Sequence, residues 1–151
     1  MPKTISKDMP LYEITLRKYE KPYSSSRRES IRKICLSVGL LQPGDSRDVI
    51  VDILGVLLLA KEQKKTLTSD EVKERVMKAR RQQKLPIKGI ADSNIRRQLK
   101  RLKDLYLVEN IKTDYRITDF EDLHVIFDKR IKEFYLKNIL ERVEEHFRSL
   151  K

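Results

Sequence analysis

The chain has no tryptophan, one cysteine and only four glycines among its 151 residues, and each scarcity closes a class of explanation. A single cysteine leaves no intramolecular disulfide and no cysteine metal cluster. Cys35 has apolar neighbours, the setting of a buried thiol and not of an activated nucleophile. His124 and His146 lack metal-ligand spacing, and no glycine-rich phosphate loop is present. Glu144 and Glu145 sit beside basic residues on a solvated face, which is not the arrangement of a catalytic carboxylate pair. Neither enzymatic activity nor a cofactor is expected. The most apolar stretch, Val49 to Ala60, includes Asp52 and is about half the length needed to span a bilayer. The N-terminus lacks the pattern of a cleaved leader, so a cytoplasmic protein without a membrane anchor is expected.

What the chain does contain favours helix. Apolar residues make up 39% and charged residues 38%, with Lys, Glu, Leu and Ile abundant and only five prolines. One domain is the expectation at this length, with a core of adequate size under a highly charged surface.

Three of the five prolines, Pro2, Pro10 and Pro22, lie in residues 1–25, which read as an N-terminal arm; within it Leu11 to Tyr19 fits neither a strand nor a helix period cleanly. Residues 26–44 form an N-terminal helix and its turn: Ser26 with Glu29 resembles a capping box, Ile31, Ile34, Cys35 and Val38 share a face, and Gly39 stops the helix. Asp45 or Ser46 is expected to cap a second helix, Arg47 to about Gln63, apolar over most of its circumference and therefore central. Thr66-Leu67-Thr68 can form a very short strand, and Ser69 opens a third helix that buries Val72, Val76 and Ala79. Pro86 and Gly89 break the chain after it.

Ten basic residues fall between positions 78 and 103 against one acid, Asp92, leaving 24 basic and 22 acidic residues elsewhere in a chain of net charge +11. A concentrated positive charge suits a polyanion. The stretch is not a solvated tail, because Ile95, Leu99, Leu102 and Tyr106 recur at helical spacing. Asp92 or Ser93 is expected to cap this helix, with Ser93, Arg97 and Lys100 opposite the apolar face and Arg96, Arg101 and Lys103 flanking it. Leu105 to Ile111 and Tyr115 to Ile117 then read as two strands around Lys112-Thr113-Asp114. From Asp119 the pattern is helical to the end. Phe120, Leu123, Phe127, Ile131 and Phe134 keep one phase, Leu136, Leu140, Val143, Phe147 and Leu150 a second, and the shift implies a bend, a break or a change of partner.

The order helix, short strand, helix, turn, helix, hairpin over residues 47–117 resembles the winged helix-turn-helix family. The resemblance rests on Thr68-Ser69-Asp70-Glu71 opening the second of these helices, Ser93-Asn94-Ile95-Arg96-Arg97-Gln98-Leu99 opening the third, and Leu102 to Glu109 leading into the wing. It implies a mostly α fold with a small β-hairpin wing: a winged helix-turn-helix domain over 45–118, preceded by the N-terminal helix and followed by a long helical extension over 119–151. It also implies double-stranded DNA as partner, with the helix at 92–105 in the major groove and the hairpin at 107–117 against the backbone or minor groove.

On that analogy Asn94, Arg96, Arg97, Lys100 and Arg101 face the groove, the helix N-terminus near Ser93 offers backbone N–H groups to a phosphate, and Lys103 belongs to the same DNA-binding set. Lys78, Arg80, Arg81, Lys84 and Lys88 track phosphates, and Lys112, Thr113 and Arg116 serve the wing. The expected role is a transcriptional regulator associated with the nucleoid. The alternatives are a sequence-nonspecific architectural protein of the chromosome, an RNA-binding domain, or a protein-assembly domain. No small-molecule effector is evident. Leu136, Leu140, Val143, Phe147 and Leu150 make a seam too apolar for an isolated helix in water, so a homodimer is expected through them, the alternative being packing on their own domain.

Overall fold

The structure, a computed structural model, describes residues 7–150. It is helix-rich with one small antiparallel hairpin. In chain order the elements are α1 (Arg27–Ser37), α2 (Val49–Glu62), α3 (Ser69–Gln82), α4 (Asp92–Asp104), β1 (Val108–Ile111) and β2 (Asp114–Ile117). A 3-10 turn (Thr118–Phe120), a short α5 (Leu123–Ile126), a π-helical stretch (Phe127–Leu136) and α6 (Lys137–Ser149) complete it. No helix among the described residues is long and apolar enough to cross a membrane.

The apolar α2 takes the central place its composition requires. Val49, Ile50, Val51, Ile53, Leu54, Val56 and Leu57 are all buried, and the helix packs against α1, α3, α4 and β2. Each such side chain contributes roughly 1.5–3 kcal/mol by leaving water. Cys35 of α1 is fully buried in the same core, and burial pushes its thiol up to about 12. Ile95, Leu99 and Leu102 close the core from α4, and Val72 and Val76 from α3.

Leu67 does form the short strand, as a single bridge to Tyr115 in which each backbone N–H donates to the other's carbonyl, at 2.9 and 2.7 Å. It extends the hairpin's pairing, in which Val108 faces Ile117 and Ile111 faces Asp114. The first strand begins later than expected. Leu105 and Leu107 belong to the exit from α4, where Tyr106 turns back with φ 68° and the Leu107 N–H reaches the Leu102 carbonyl at 3.1 Å.

The starts of α2 and α4 differ by one to three residues from the sequence expectations, and the reasons are physical. The third helix, α3, starts at Ser69 as expected, and Thr68 caps it in a full capping box with Glu71. Asp48 precedes α2 without capping it, its carboxylate being held by arginines, while Asp45 accepts from the Arg47 N–H within the preceding turn. Ala91 precedes α4, and no side chain caps that helix. Ser26 does cap α1, accepting from the Glu29 N–H at 3.2 Å. With few glycines to end them, α2 and α3 close on Lys64 and Lys84 in left-handed conformations, each followed by an N–H that bonds back into the last turn.

The N-terminal arm, where described, has no regular helix or strand after Asp8, yet it is fastened. Arg17 donates to the Leu36 carbonyl at 2.7 Å and to the Leu41 carbonyl at 3.1 Å, and its own N–H bonds the Ser37 carbonyl. Gly39, with φ +77°, faces Thr15 so closely that an added Cβ would lie 2.7 Å from the Thr15 Cβ. Tyr12 stacks on Tyr135 at 4.8 Å between centroids.

The phase shift in the C-terminal pattern coincides with the π-helical stretch. A π turn spans more residues than an α turn, so ten residues of it rotate the following face. Ile126 and Ile131 are buried against the core. Beyond Lys137 the helix leaves the body of the protein, and every residue from Glu141 to Leu150 is exposed.

Candidate nucleic-acid interface

The basic stretch occupies the end of α3, the turn after it and the outer face of α4. Lys78, Arg81, Lys84, Lys88, Arg96, Arg97, Lys100 and Lys103 are all exposed. Among the described residues only Lys100 of these eight has a carboxylate partner, Asp104 at 2.9 Å. Ser93 is exposed on the same outer face of α4. Asp92, the one acid of the stretch, is taken up by Lys73 of α3 at 2.8 Å. That hydrogen bond and the charge of Lys73, with Arg96 adding to them, hold the Asp92 carboxyl below its ordinary range. The bond also ties the start of α4 to α3.

Arg80 is not part of this surface, contrary to the sequence expectation. It is 4% exposed and donates to Asp52, to Asp48 at 3.3 Å and to the Pro86 carbonyl at 2.7 Å. Its α3 position follows Val72 and Val76 at steps of four, so it continues the buried stripe. Arg28 of α1 grips Asp52 with two bonds, of 3.0 and 3.1 Å, and reaches Asp48 at 3.1 Å, while Arg32 reaches Asp48 at 3.3 Å. Three arginines therefore share two aspartates inside the protein. The Asp52 bonds raise the Arg28 pKa above its ordinary value against the effect of burial. Burial opposes the charge of Asp48, but Arg28 and Arg80 outweigh it and its carboxyl lies below the usual range. Through the Pro86 carbonyl, the network holds the long turn that carries Lys84 and Lys88.

Three further expectations change. Asn94 is partly buried and spent internally: its amide donates to the Gly89 carbonyl at 2.6 Å, and its oxygen accepts from Arg97 and Gln98. It fixes the turn to the helix and is not presented to a groove. Arg101 is half-buried and donates to Gln98 at 2.8 Å and to the Gly39 carbonyl at 3.4 Å. In the hairpin, Arg116 pairs with Glu109 at 2.8 Å and lies over the Phe120 ring at 4.7 Å. Lys112 and Thr113 remain exposed at the hairpin tip.

A cleft of about 920 Å³ runs between α1, the turn before α2, the 85–89 turn and α4, and it is lined by Arg32, Arg47, Lys88, Arg97 and Arg101 among others. Arg47 is the residue that sequence periodicity missed. Its side chain is 93% exposed, and Asp45 lies 3.6 Å away. It extends the positive face of α4 across the cleft, and only the folded arrangement brings the two together. No family model matches the chain, and neither a curated protein nor a solved structure does.

Proposed function

We propose that the protein binds double-stranded DNA, with the outer face of α4 in the major groove and the end of α3 and the following turn on the phosphate backbone. The observation that carries this reading is the set of eight exposed basic side chains on contiguous elements, seven of them without a carboxylate partner among the described residues. A positive surface left uncompensated by the protein's own acids is costly in self-repulsion and is relieved by a polyanion. Arg96, Arg97 and Lys100 are the groove-facing residues on this reading; Lys78, Arg81, Lys84, Lys88 and Arg47 are the phosphate contacts. The order of elements, with Leu67 bridging to β2 and the hairpin directly after α4, supports the resemblance to winged helix-turn-helix domains. Regulation of transcription is the role proposed, and sequence-nonspecific coating of the chromosome is its competitor. A regulator should prefer one site over random duplex by about 10³-fold or more.

The test is charge reversal at Arg97→Glu with Lys100→Glu, read by fluorescence anisotropy with duplex DNA and with matched single-stranded RNA. Both positions are exposed, so the fold should persist by circular dichroism while duplex binding is lost. Unchanged affinity would remove α4 from the interface. Preference for the single strand would move the reading to RNA.

A further inference from the structure

We infer that α6 docks on α6 of a second copy of this chain, and that the two helices run antiparallel. The seam residues Leu136, Leu140, Val143, Phe147 and Leu150 alternate in steps of four and three, which is the heptad spacing of a helix made to pack on another helix. Leu140 is 59% exposed, Val143 47%, Phe147 79% and Leu150 86%. Such a stripe left in water is a docking surface without its partner. The π-helical stretch turns it away from the core that buries Ile131.

The charges beside the seam select both the partner and its direction. Lys137 follows Leu136 and Glu144 follows Val143, so the two lie on the same edge of the stripe one heptad apart. In an antiparallel pair, like edges meet. With Leu140 opposite the other copy's Val143, and Leu136 opposite its Phe147, Lys137 of each copy faces Glu144 of the other, twice over by the two-fold symmetry. In a parallel pair the edge of Glu144 would meet that of Ile139, and the ion pairs would be absent. The edge is thus complementary to itself, as an isologous contact requires. Among the described residues Glu144 pairs only with Arg148, at 3.5 Å and exposed. One helix from each copy is smaller than the roughly 1,200–2,000 Å² of a standard interface, so the dimer should dissociate on dilution through about the micromolar range.

The pairing stands apart from DNA binding, and its test uses the full chain without DNA. Sedimentation equilibrium should give a dimer for the natural sequence, and Lys137→Glu alone or Glu144→Lys alone should weaken it about tenfold, since two attractions become two repulsions. The double variant should restore it to within about twofold. A monomer at 100 µM, single variants without effect, or a double variant that stays weak would each overturn the proposal. Direction is read separately from cross-linking. An oxidised mixture of Leu136→Cys and Phe147→Cys chains should join, and neither chain should join alone. Antiparallel copies separate position 136 from its own counterpart by about 16 Å along the axis, beyond a disulfide's reach. Cross-linking of either variant alone would mean parallel helices. Cys35, being fully buried, stays silent in this assay.

Discussion

Replacing Asp52 by Asn removes one charge from the centre of the protein and leaves the shape of the side chain almost unchanged. Asp52 is 5% exposed and accepts from both Arg28 and Arg80. Removing one partner of a buried ion pair typically costs about 3–5 kcal/mol, because the remaining charge stays buried without compensation. Here Arg28 and Arg80 both keep Asp48, at 3.1 and 3.3 Å, so the cost should fall at the lower end, about 3 kcal/mol. With a urea slope of about 2 kcal/mol/M for a protein of this size, the unfolding midpoint should drop by about 1.5 M. The damage should also reach the 83–91 turn, because Arg80 holds the Pro86 carbonyl. Trypsin should then cut after Lys84 and Lys88 faster than in the natural protein, at urea concentrations where both remain folded. A midpoint shift below about 0.3 M would mean that the network stabilises little, and unchanged cleavage would detach it from the turn.

Arg80→Met and Arg81→Ala, adjacent in sequence, should separate cleanly. The first should lower stability and leave the salt dependence of DNA binding intact. The second should leave stability within about 0.5 kcal/mol and reduce the slope of log affinity against log salt by about 0.9. The lowered pKa of Asp48 makes its charge stabilising above the unfolded carboxyl value of about 3.9, and that contribution disappears as pH falls through the folded value. The urea midpoint of the natural protein should therefore exceed that of Asp48→Asn at pH 7, and the gap should narrow below about pH 3.9. A gap that widens in acid would reverse the sign argued for Asp48. Gly39→Ala should destabilise the protein by about 1–3 kcal/mol and free the arm for proteolysis, because the new Cβ meets Thr15 at a φ of +77°; equal Tm values would refute the close contact.

Much of this was legible in the sequence where a pattern is local. The central helix, the turn at Pro86 and Gly89, the amphipathic α4 and the hairpin follow from periodicity and breakers. The phase shift near Phe134 marks the π-helical stretch, although spacing alone did not name its form. The charge run was legible as a run but not as a surface, because sequence distance says nothing of helix phase. The burial of Arg80 has a signature in the sequence. The residue stands four residues after Val76 on a buried stripe, just as Asp52 stands within an otherwise apolar helix, and two misplaced opposite charges point to each other. Asn94 and Arg116 had no such signal, since their partners Gly89 and Glu109 are brought close by turns. Arg47 came beside α4 only through the packing of α1 and α2.

The most direct test of the DNA-binding reading is an anisotropy titration of the natural protein with random duplex from about 50 to 300 mM salt. Each neutralised phosphate contributes about 0.9 to the slope of log affinity against log salt. The five phosphate contacts proposed, Lys78, Arg81, Lys84, Lys88 and Arg47, all exposed, should give a slope of about 4.5 and affinity for duplex above that for single-stranded RNA. A slope near one, or weak binding to both nucleic acids, would contradict the reading and make the basic face a docking surface for an acidic protein.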